Sequence, residues 1–209
     1  VIIDSSGIIL TNNHVVEGAD EVTVELSDGR VFKGTDIKVD PDTDLAVVHI
    51  KDAGTLPAAK LGDSDALEIG DWVIAVGNPF GLGGTVTAGI LSARGRDINS
   101  GPYDDYLQVD APINRGNSGG PLFNNRGQVI GVNSAIYSPT GGSVGIGFAI
   151  PSNLVRDVVA QLETNGRVAR GWLGVQIQTV TDEIAEALGL DRARGALVGE
   201  VVHLLAHDV

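Results

Sequence analysis

The chain has 209 residues, 43% of them apolar, which is enough for one large domain or for one domain and part of a second. Acidic residues outnumber basic residues by 27 to 14, giving a net charge of −13, and no run of Lys or Arg interrupts this excess. That charge disfavours binding to nucleic acid or to an anionic membrane surface. The absence of cysteine excludes thiol catalysis, disulfides and thiolate metal sites. The chain contains no Met and opens inside a strand-like pattern, so we expect a segment of a longer protein.

Up to residue 150 the sequence predicts many short strands separated by Gly or Pro clusters. Residues 22–26 and 31–33 flank a tight-turn signal and predict a hairpin. Many strands with almost no helical period favour an all-β sandwich or barrel. Further strands are expected at 45–50, 72–76, 85–92, 128–136 and 144–150.

The hydrophobic period changes after Pro151. Apolar residues recur at helical spacing from Leu154 to Leu162, and they predict a helix that begins near Pro151 and ends at Gly166. A new segment begins near Gly171, and a second short helix is expected at 181–188.

A serine surrounded by glycines is the strongest chemical signal. Ser118 lies within residues 114–121, where glycines let the backbone turn sharply and present its amides to an oxyanion. An ordinary Gly-rich surface turn is the alternative. The match to G-x-S-x-G also fits a nucleophile elbow, but that motif needs a helix after the serine. Here a predicted hairpin at 122–127 follows instead, so we reject the elbow.

A serine nucleophile needs a base, and the base needs an acid that orients it. His14 follows an apolar strand, and Asp44 directly precedes the strand predicted at 45–50. Asp40 and Asp42 compete with Asp44 for the acidic role, and each signal is weak alone. The order His14, Asp44, Ser118 on an all-β chain favours a serine hydrolase.

Three blocks, residues 11–16, 44–47 and 116–121, resemble the catalytic blocks of the HtrA/Deg family of trypsin-fold serine proteases. Residues 77–81 and 145–151 resemble two further blocks of that family. The resemblance implies a trypsin-like double β-barrel of six strands each, followed by the beginning of a PDZ domain. It divides the chain into a protease domain at 1–165, without the family's N-terminal strand, and a linker with a partial PDZ domain at 166–209.

The resemblance also implies the role of each residue in a Ser-His-Asp triad. Ser118 would attack the scissile carbonyl, His14 would move the proton, and Asp44 would hold the imidazole. The oxyanion hole would come from Gly116, Asn117 and Ser118. No cofactor or metal is expected, since the four histidines form no H-E-x-x-H set and Gly145 to Gly147 lacks the third glycine of a dinucleotide loop.

Substrate preference follows from the expected S1 pocket. Its floor would fall at residues 111–113, which contain no acid, so a basic P1 residue gains no partner. The family's pocket positions fall on Ile136 and Ile146, both apolar, and they predict small or β-branched aliphatic P1 residues. Plain core packing is the alternative for both isoleucines.

A short segment resembles the carboxylate-binding loop that opens a family PDZ domain, where backbone amides could cradle the C-terminus of a peptide. A strand that links two domains is the alternative. Residues 203–209 depart from the family pattern. The residues expected in the loop are Trp172, Leu173, Gly174 and Val175.

The function implied by the resemblance is ATP-independent cleavage of unfolded or misfolded proteins in the bacterial periplasm, by a homotrimer or a multiple of trimers. Loops at 80–84, 94–105 and 137–143 would switch between inactive and active arrangements. A protein-binding chaperone or scaffold with secondary proteolysis is the alternative, and a signalling protease with one narrow substrate is a third reading.

Overall fold

The computed structural model describes residues 1–79, 84–171 and 173–201. The chain divides into two compact units, Val1–Val168 and Ala169–Val209. Within the described ranges, no helix combines the length and apolar character needed to cross a membrane.

The first half of the larger unit is an open antiparallel sheet of five strands in the order β1-β2-β5-β4-β3. A single helical turn, α1 (Asn13–Val16), follows β2, and a 3-10 turn (Pro41–Thr43) joins β4 to β5. The strands are β1 (Ile2–Asp4), β2 (Ile8–Thr11), β3 (Thr23–Glu25), β4 (Val31–Asp40) and β5 (Leu45–Ile50).

The second half is a closed antiparallel barrel of six strands in the order β10-β11-β8-β7-β6-β9. Its interior holds a continuous apolar cluster that includes Val73, Leu91, Leu122 and Ile130. The strands are β6 (Trp72–Gly77), β7 (Thr85–Arg96), β8 (Tyr106–Val109), β9 (Pro121–Asn124), β10 (Val129–Ile136) and β11 (Gly147–Pro151).

The predicted all-β architecture is confirmed, with one difference from the expected double barrel in the first half. Two closed barrels were expected, but only the second closes among the described residues. In the first half, β1 and β3 have three residues each and lie at opposite edges of the sheet. They do not pair with each other, so the sheet stays open. The predicted hairpins at 22–33 and 122–127 are confirmed by the pairs β3–β4 and β9–β10.

A helix packs against both halves of this unit. The predicted helix after Pro151 is confirmed as α2 (Ser152–Asn165), and Gly166 ends it in the left-handed conformation at φ 72°. Its Val155 and Leu162 join a core cluster with Leu10 of β2 and Val132 of β10. This shared core fixes the two halves against each other, and the candidate site lies where they meet.

The smaller unit contains two paired strands and one helix. Strand β12 (Val175–Thr179) pairs with β13 (Ala196–Val201), and α3 (Asp182–Leu188) lies between them in sequence. The Thr181 side chain accepts a hydrogen bond from the amide of Ile184 and so caps α3, which confirms the short helix expected there.

Candidate active site

His14 and Asp44 form a close pair at the ends of two neighbouring strands. His14 lies on α1, and its Nδ1 is 2.8 and 2.9 Å from the two carboxylate oxygens of Asp44. The backbone amide of His14 also donates to Asp44 Oδ1 at 3.0 Å. The Asn12 side chain, fully buried, donates to the Asp44 carbonyl at 2.9 Å. These bonds fix the imidazole relative to the carboxylate.

The conformation of Asp44 explains why it, and not a neighbouring acid, meets His14. Asp44 ends the 3-10 turn with a left-handed backbone at φ 55°, which a non-glycine residue rarely adopts. Asp40 is buried and accepts a hydrogen bond from the Thr43 hydroxyl instead. Asp42 is exposed and lines a cavity that His14 and Asp44 also line, but the His14 imidazole bonds to Asp44. The structure therefore brings Asp44 to His14 and leaves Asp40 and Asp42 in other environments.

The pair shifts the pKa of both members in opposite directions. The hydrogen bond with Asp44 raises the pKa of His14 above its ordinary 6.5, although partial burial opposes the change. Burial favours protonation of Asp44, but hydrogen bonds from His14, Ser134 and the His14 amide together lower its pKa below the ordinary value. The imidazole therefore faces an ionised carboxylate at neutral pH.

The loop that carries Ser118 is held by close backbone packing. Gly116 has φ 97°, and a Cβ there would overlap the carbonyl of Asn78. Gly119 has φ 77°, and a Cβ there would overlap the Thr11 hydroxyl on β2. The Gly119 amide also donates to the Asn133 carbonyl of β10 at 2.8 Å. The glycines around Ser118 thus serve a tight loop wedged between the open sheet and the barrel.

The amides of this loop differ in whether they already have a partner. The Asn117 amide donates to the Asn114 carbonyl at 3.0 Å, so it is not free to bind an oxyanion. Asn117 was expected in the oxyanion hole together with Gly116 and Ser118, and its amide has this partner within the loop. For Gly116 and Ser118, no bond from the backbone amide to another described residue is formed. These two amides are the donors that a ligand oxygen could use.

Ser134, which the sequence analysis did not single out, joins the acid to the serine. Its hydroxyl donates to Asp44 Oδ2 at 2.7 Å, and its carbonyl accepts a hydrogen bond from Ser118 Oγ at 3.2 Å. Ser134 lies at an irregularity in the pairing of β10 with β11, between Asn133 and Ala135. Such bulges redirect a side chain next to a site. The only sequence signal was a pair of polar residues, Asn133 and Ser134, in an otherwise apolar strand.

A cavity of about 270 Å³ opens beside Ser118. Ile113 and Ile136 line it, together with Ala135, and Arg115 is the one charged residue among its lining residues. Ile146 is not among the residues that line this cavity. Its half-buried side chain packs against the core cluster that contains Val132 and Phe148, and Ile136 also packs against the core of the barrel. The assignment of the two isoleucines to an S1 pocket stays a prediction.

The segment expected to bind a peptide carboxylate is described in part. Trp172 lies outside the described residues, as does the 203–209 tail. Leu173 is exposed, Gly174 has φ 65°, and Val175 begins β12.

Comparison with known proteins gives the same architecture. The model of the trypsin-like peptidase domain matches residues 1–132. A protein of Rhizobium meliloti named "Probable periplasmic serine endoprotease DegP-like" is 58% identical over 198 residues, which cover 95% of this chain and 39% of that protein. A Marinomonas protein of the same name is 52% identical over 201 residues, covering 96% of this chain and 43% of the relative.

Solved structures agree with this assignment. The HtrA-type protease AlgW with a tripeptide matches with a TM-score of 0.89 at 49% identity, covering 97% of this chain and 67% of that one. AlgW with a decapeptide matches with a TM-score of 0.85 at 50% identity, covering 96% and 62%. The chain belongs to the trypsin-like peptidase family, within its HtrA/Deg group. It spans about two fifths of the length of the curated relatives it matches.

Proposed function

We propose that residues 1–168 form a serine endopeptidase domain that cleaves unfolded polypeptides without ATP, with Ser118, His14 and Asp44 as its triad. The observation that carries this proposal is the pair of hydrogen bonds made by Ser134. Its carbonyl accepts a hydrogen bond from the Ser118 hydroxyl, and its own hydroxyl donates to Asp44, the acid that holds His14.

The chemistry would follow from the hydrogen bonds of the pair. Because Nδ1 of His14 donates to Asp44, the other ring nitrogen, Nε2, carries the lone pair that accepts a proton. A hydroxyl has a single proton, so Ser118 must turn away from the Ser134 carbonyl to donate to Nε2. Its oxygen then attacks the carbonyl carbon, and His14 later returns the proton to the leaving amine. Water then hydrolyses the acyl-enzyme. It gives a proton to His14, and His14 passes a proton back to the Ser118 oxygen.

The oxyanion of the tetrahedral intermediate would lie against the amides of Gly116 and Ser118. Loss of one such donor costs about 100- to 1,000-fold in turnover. The close contact of Gly116 with Asn78 supports this arrangement, because it holds the loop where no side chain fits.

A P1 residue would occupy the cavity beside Ser118, and we propose a preference for Val, Ala or Ile there. Ile113 and Ile136 offer apolar contact, and Arg115 disfavours a basic side chain. Mass-spectrometric mapping of cleavage sites in a peptide library tests this. Cleavage after Arg or Lys in preference to Val or Ala would rule it out.

A homotrimer in the bacterial periplasm is part of the same proposal. The periplasmic location rests on the names of the relatives. The assembly is supported by an exposed apolar face on the barrel, formed by Trp72, Ile74 and Val86 of the paired strands β6 and β7. Light scattering on the eluting protein measures the assembly, and a monomer at all concentrations would contradict a trimer.

Residues 173–175, with Trp172, are proposed to hold the carboxylate of a peptide C-terminus beside β12. The left-handed Gly174 and the exposed Leu173 are compatible with this role. Fluorescence anisotropy with an apolar peptide and with its C-terminally amidated form tests it. Equal binding of both forms would argue for a linking strand instead.

The main experiment compares the parent chain with Ser118→Ala on a permanently unfolded model protein without ATP. Fragments from the parent and from the control Ser6→Ala, which removes an exposed hydroxyl in the β1–β2 turn, but not from Ser118→Ala, would support the peptidase. Suppressed aggregation with no fragments from any variant would favour the alternative, a chaperone or scaffold.

A further inference from the structure

The cavity beside Ser118 has a rigid base and a rim that is made of two loops. At the base, Ile113 belongs to the buried core of the barrel, and an added Cβ on Gly147 of β11 would lie 2.9 Å from Ile113 Cδ1. The rim is lined from residues 114–115 on one side and from residues 138–141 on the other, and both segments lie outside the strands. The width of the cavity therefore depends on how these two loops are held to each other.

The connection between β10 and β11, residues 137–146, has hydrogen bonds of its own. Its base is closed by the Tyr137 amide, which donates to the Ile146 carbonyl at 3.1 Å. Farther out, the Ser138 hydroxyl oxygen accepts two backbone amides of the same connection, at 2.8 and 3.3 Å. These bonds shape the connection, but they do not hold it to the loop that carries Ser118.

Asn114 supplies a hydrogen bond between the two loops. Its side-chain oxygen Oδ1 accepts the backbone amide of Ser143 at 2.9 Å. Because a backbone N–H can only donate, the atom of Asn114 that faces it must be the oxygen and not the nitrogen. Both residues are half-buried, so water competes less for this bond than it would at an open surface.

The same residue also begins the turn that leads to the serine. The carbonyl of Asn114 accepts the Asn117 amide at 3.0 Å, one residue before Ser118. Asn114 therefore holds the nucleophile loop through its backbone and the opposite rim of the cavity through its side chain.

We propose that Asn114 is a specificity-determining residue, whose side-chain oxygen holds residues 137–146 close to the nucleophile loop and so keeps the P1 cavity narrow. This inference deepens the proposed function and rests on it. A narrow cavity of fixed width favours Val over Phe, because a branched aliphatic side chain fills it, whereas a ring enters only when the rim loops separate. Loss of the Asn114 oxygen should therefore relax the choice between these two P1 residues.

The variants separate the acceptor oxygen from the other properties of residue 114. Asn114→Ala removes the acceptor, whereas Asn114→Asp keeps an oxygen in the same place. Asn125→Ala is the matched control, because Asn125 is an exposed asparagine in the turn between β9 and β10. Circular dichroism shows whether each variant is folded. If Asn114→Ala does not fold, Asn114→Ser replaces it, since its shorter side chain does not reach the Ser143 amide.

The first measurement follows the bond itself, by hydrogen exchange of the Ser143 amide read by NMR. In Asn114→Ala this amide should exchange about 5-fold faster than in Asn125→Ala, since one net hydrogen bond is lost. In Asn114→Asp the protection should remain. The exchange measurement needs no cleavage, so it tests the contact even if the proposed peptidase activity fails.

The second measurement compares kcat/KM for two chromogenic peptides that differ only in having Val or Phe at P1. The ratio of Val to Phe should fall about 5-fold in Asn114→Ala, which corresponds to the same single hydrogen bond. In Asn114→Asp and in Asn125→Ala the ratio should stay within about 2-fold of the parent, because the acceptor is kept.

If the parent chain cleaves neither peptide, the proposed function fails, and binding then tests the cavity. Peptides that end in Val or Phe are titrated onto each variant, and Kd is read from the methyl signal of Ile136, which lines the cavity. Their C-termini are amidated, so that they do not bind as free carboxylates at residues 173–175. The same loss of preference for Val is expected in Asn114→Ala.

Three results would overturn the inference. The first is a Ser143 amide that exchanges at the same rate in Asn114→Ala and in Asn125→Ala. The second is a Val-to-Phe preference that Asn114→Ala leaves unchanged. The third is an equal loss of that preference in Asn114→Ala and Asn114→Asp, which would show that the acceptor oxygen does not set the width of the cavity.

Discussion

The open sheet β1–β5 and the closed barrel β6–β11 contribute to the candidate site by different physical means. The open sheet supplies His14 and Asp44 from two short irregular segments that follow strands, and side-chain hydrogen bonds orient them. The barrel supplies Ser118 on a loop whose place is set by backbone packing around Gly116 and Gly119. Substitutions that change a charge should therefore disturb the His14–Asp44 pair most. Substitutions that add side-chain volume should disturb the loop that carries Ser118 most.

The largest effect is expected from removing the negative charge of the His14–Asp44 pair. Asp44→Asn should lower turnover by about 10,000-fold, because the amide no longer favours the tautomer with a free Nε2. Peptide cleavage and circular dichroism should show lost activity in a folded protein. The control is Asp28→Asn, which removes a carboxylate from a surface ion pair with Arg30. Near-normal turnover of Asp44→Asn would move the acid to Asp40 or Asp42.

The next largest effect is expected from adding a side chain to the loop that carries Ser118. Gly119→Ala should lower the free energy of unfolding by about 2–4 kcal/mol, since it combines left-handed strain with overlap of the Thr11 hydroxyl. Gly127→Ala is the matched control, because Gly127 has φ 72° but no atom within 4 Å of the position that an added Cβ would take. We expect it to cost only about 1–2 kcal/mol. Urea denaturation measures both, and equal losses would mean that the close packing at Gly119 is unimportant.

A smaller effect should come from the ion pair that ties α2 to the open sheet. Glu163 accepts His49 Nε2 at 2.9 Å and Lys38 Nζ at 3.4 Å, and all three side chains are half-buried. Glu163→Gln should cost about 1 kcal/mol in the free energy of unfolding. Glu21→Gln, which breaks an exposed pair with Lys33, should cost close to nothing. A larger loss for Glu21→Gln than for Glu163→Gln would contradict this assignment.

The smallest effect concerns pH. Since the pKa of His14 lies above 6.5, activity should fall as pH drops and reach half its maximum above pH 6.5, where the imidazole becomes protonated. Removing the anion in Asp44→Asn should move this midpoint of the residual activity to lower pH. A pH profile of kcat/KM checks both. Constant activity from pH 7 to 5 would exclude His14 as the base.

The sequence predicted the parts of the site that depend on local chemistry. Glycines around Ser118, a carboxylate directly before the buried strand β5, and a histidine after β2 were all visible in order along the chain. The helix α2 and its end at Gly166 were equally visible, because a 3.6-residue hydrophobic period followed by glycine is a local pattern.

Other features had no local signal. Ser134 reaches Asp44 because of an irregularity in the pairing of β10 with β11, and such a shift depends on two strands. Ile136 and Ile146 both pack against core clusters, but only Ile136 also lines the cavity beside Ser118, although both are isoleucines in strand-like surroundings. The strand β8 (Tyr106–Val109) was not predicted.

By itself, then, the sequence determined an all-β chain and the three residues that could act together, because glycine placement, strand alternation and residue order are encoded locally. The trypsin-like architecture was implied by the resemblance of its sequence blocks to the HtrA/Deg family. Only the tertiary structure decided that Asp44 rather than Asp40 or Asp42 meets His14, and that the Asn117 amide is already bonded. It also decided that Ser134 donates to Asp44 from the neighbouring half. The physical reason is that these contacts join atoms far apart in the chain, so register, bulges and backbone angles set them.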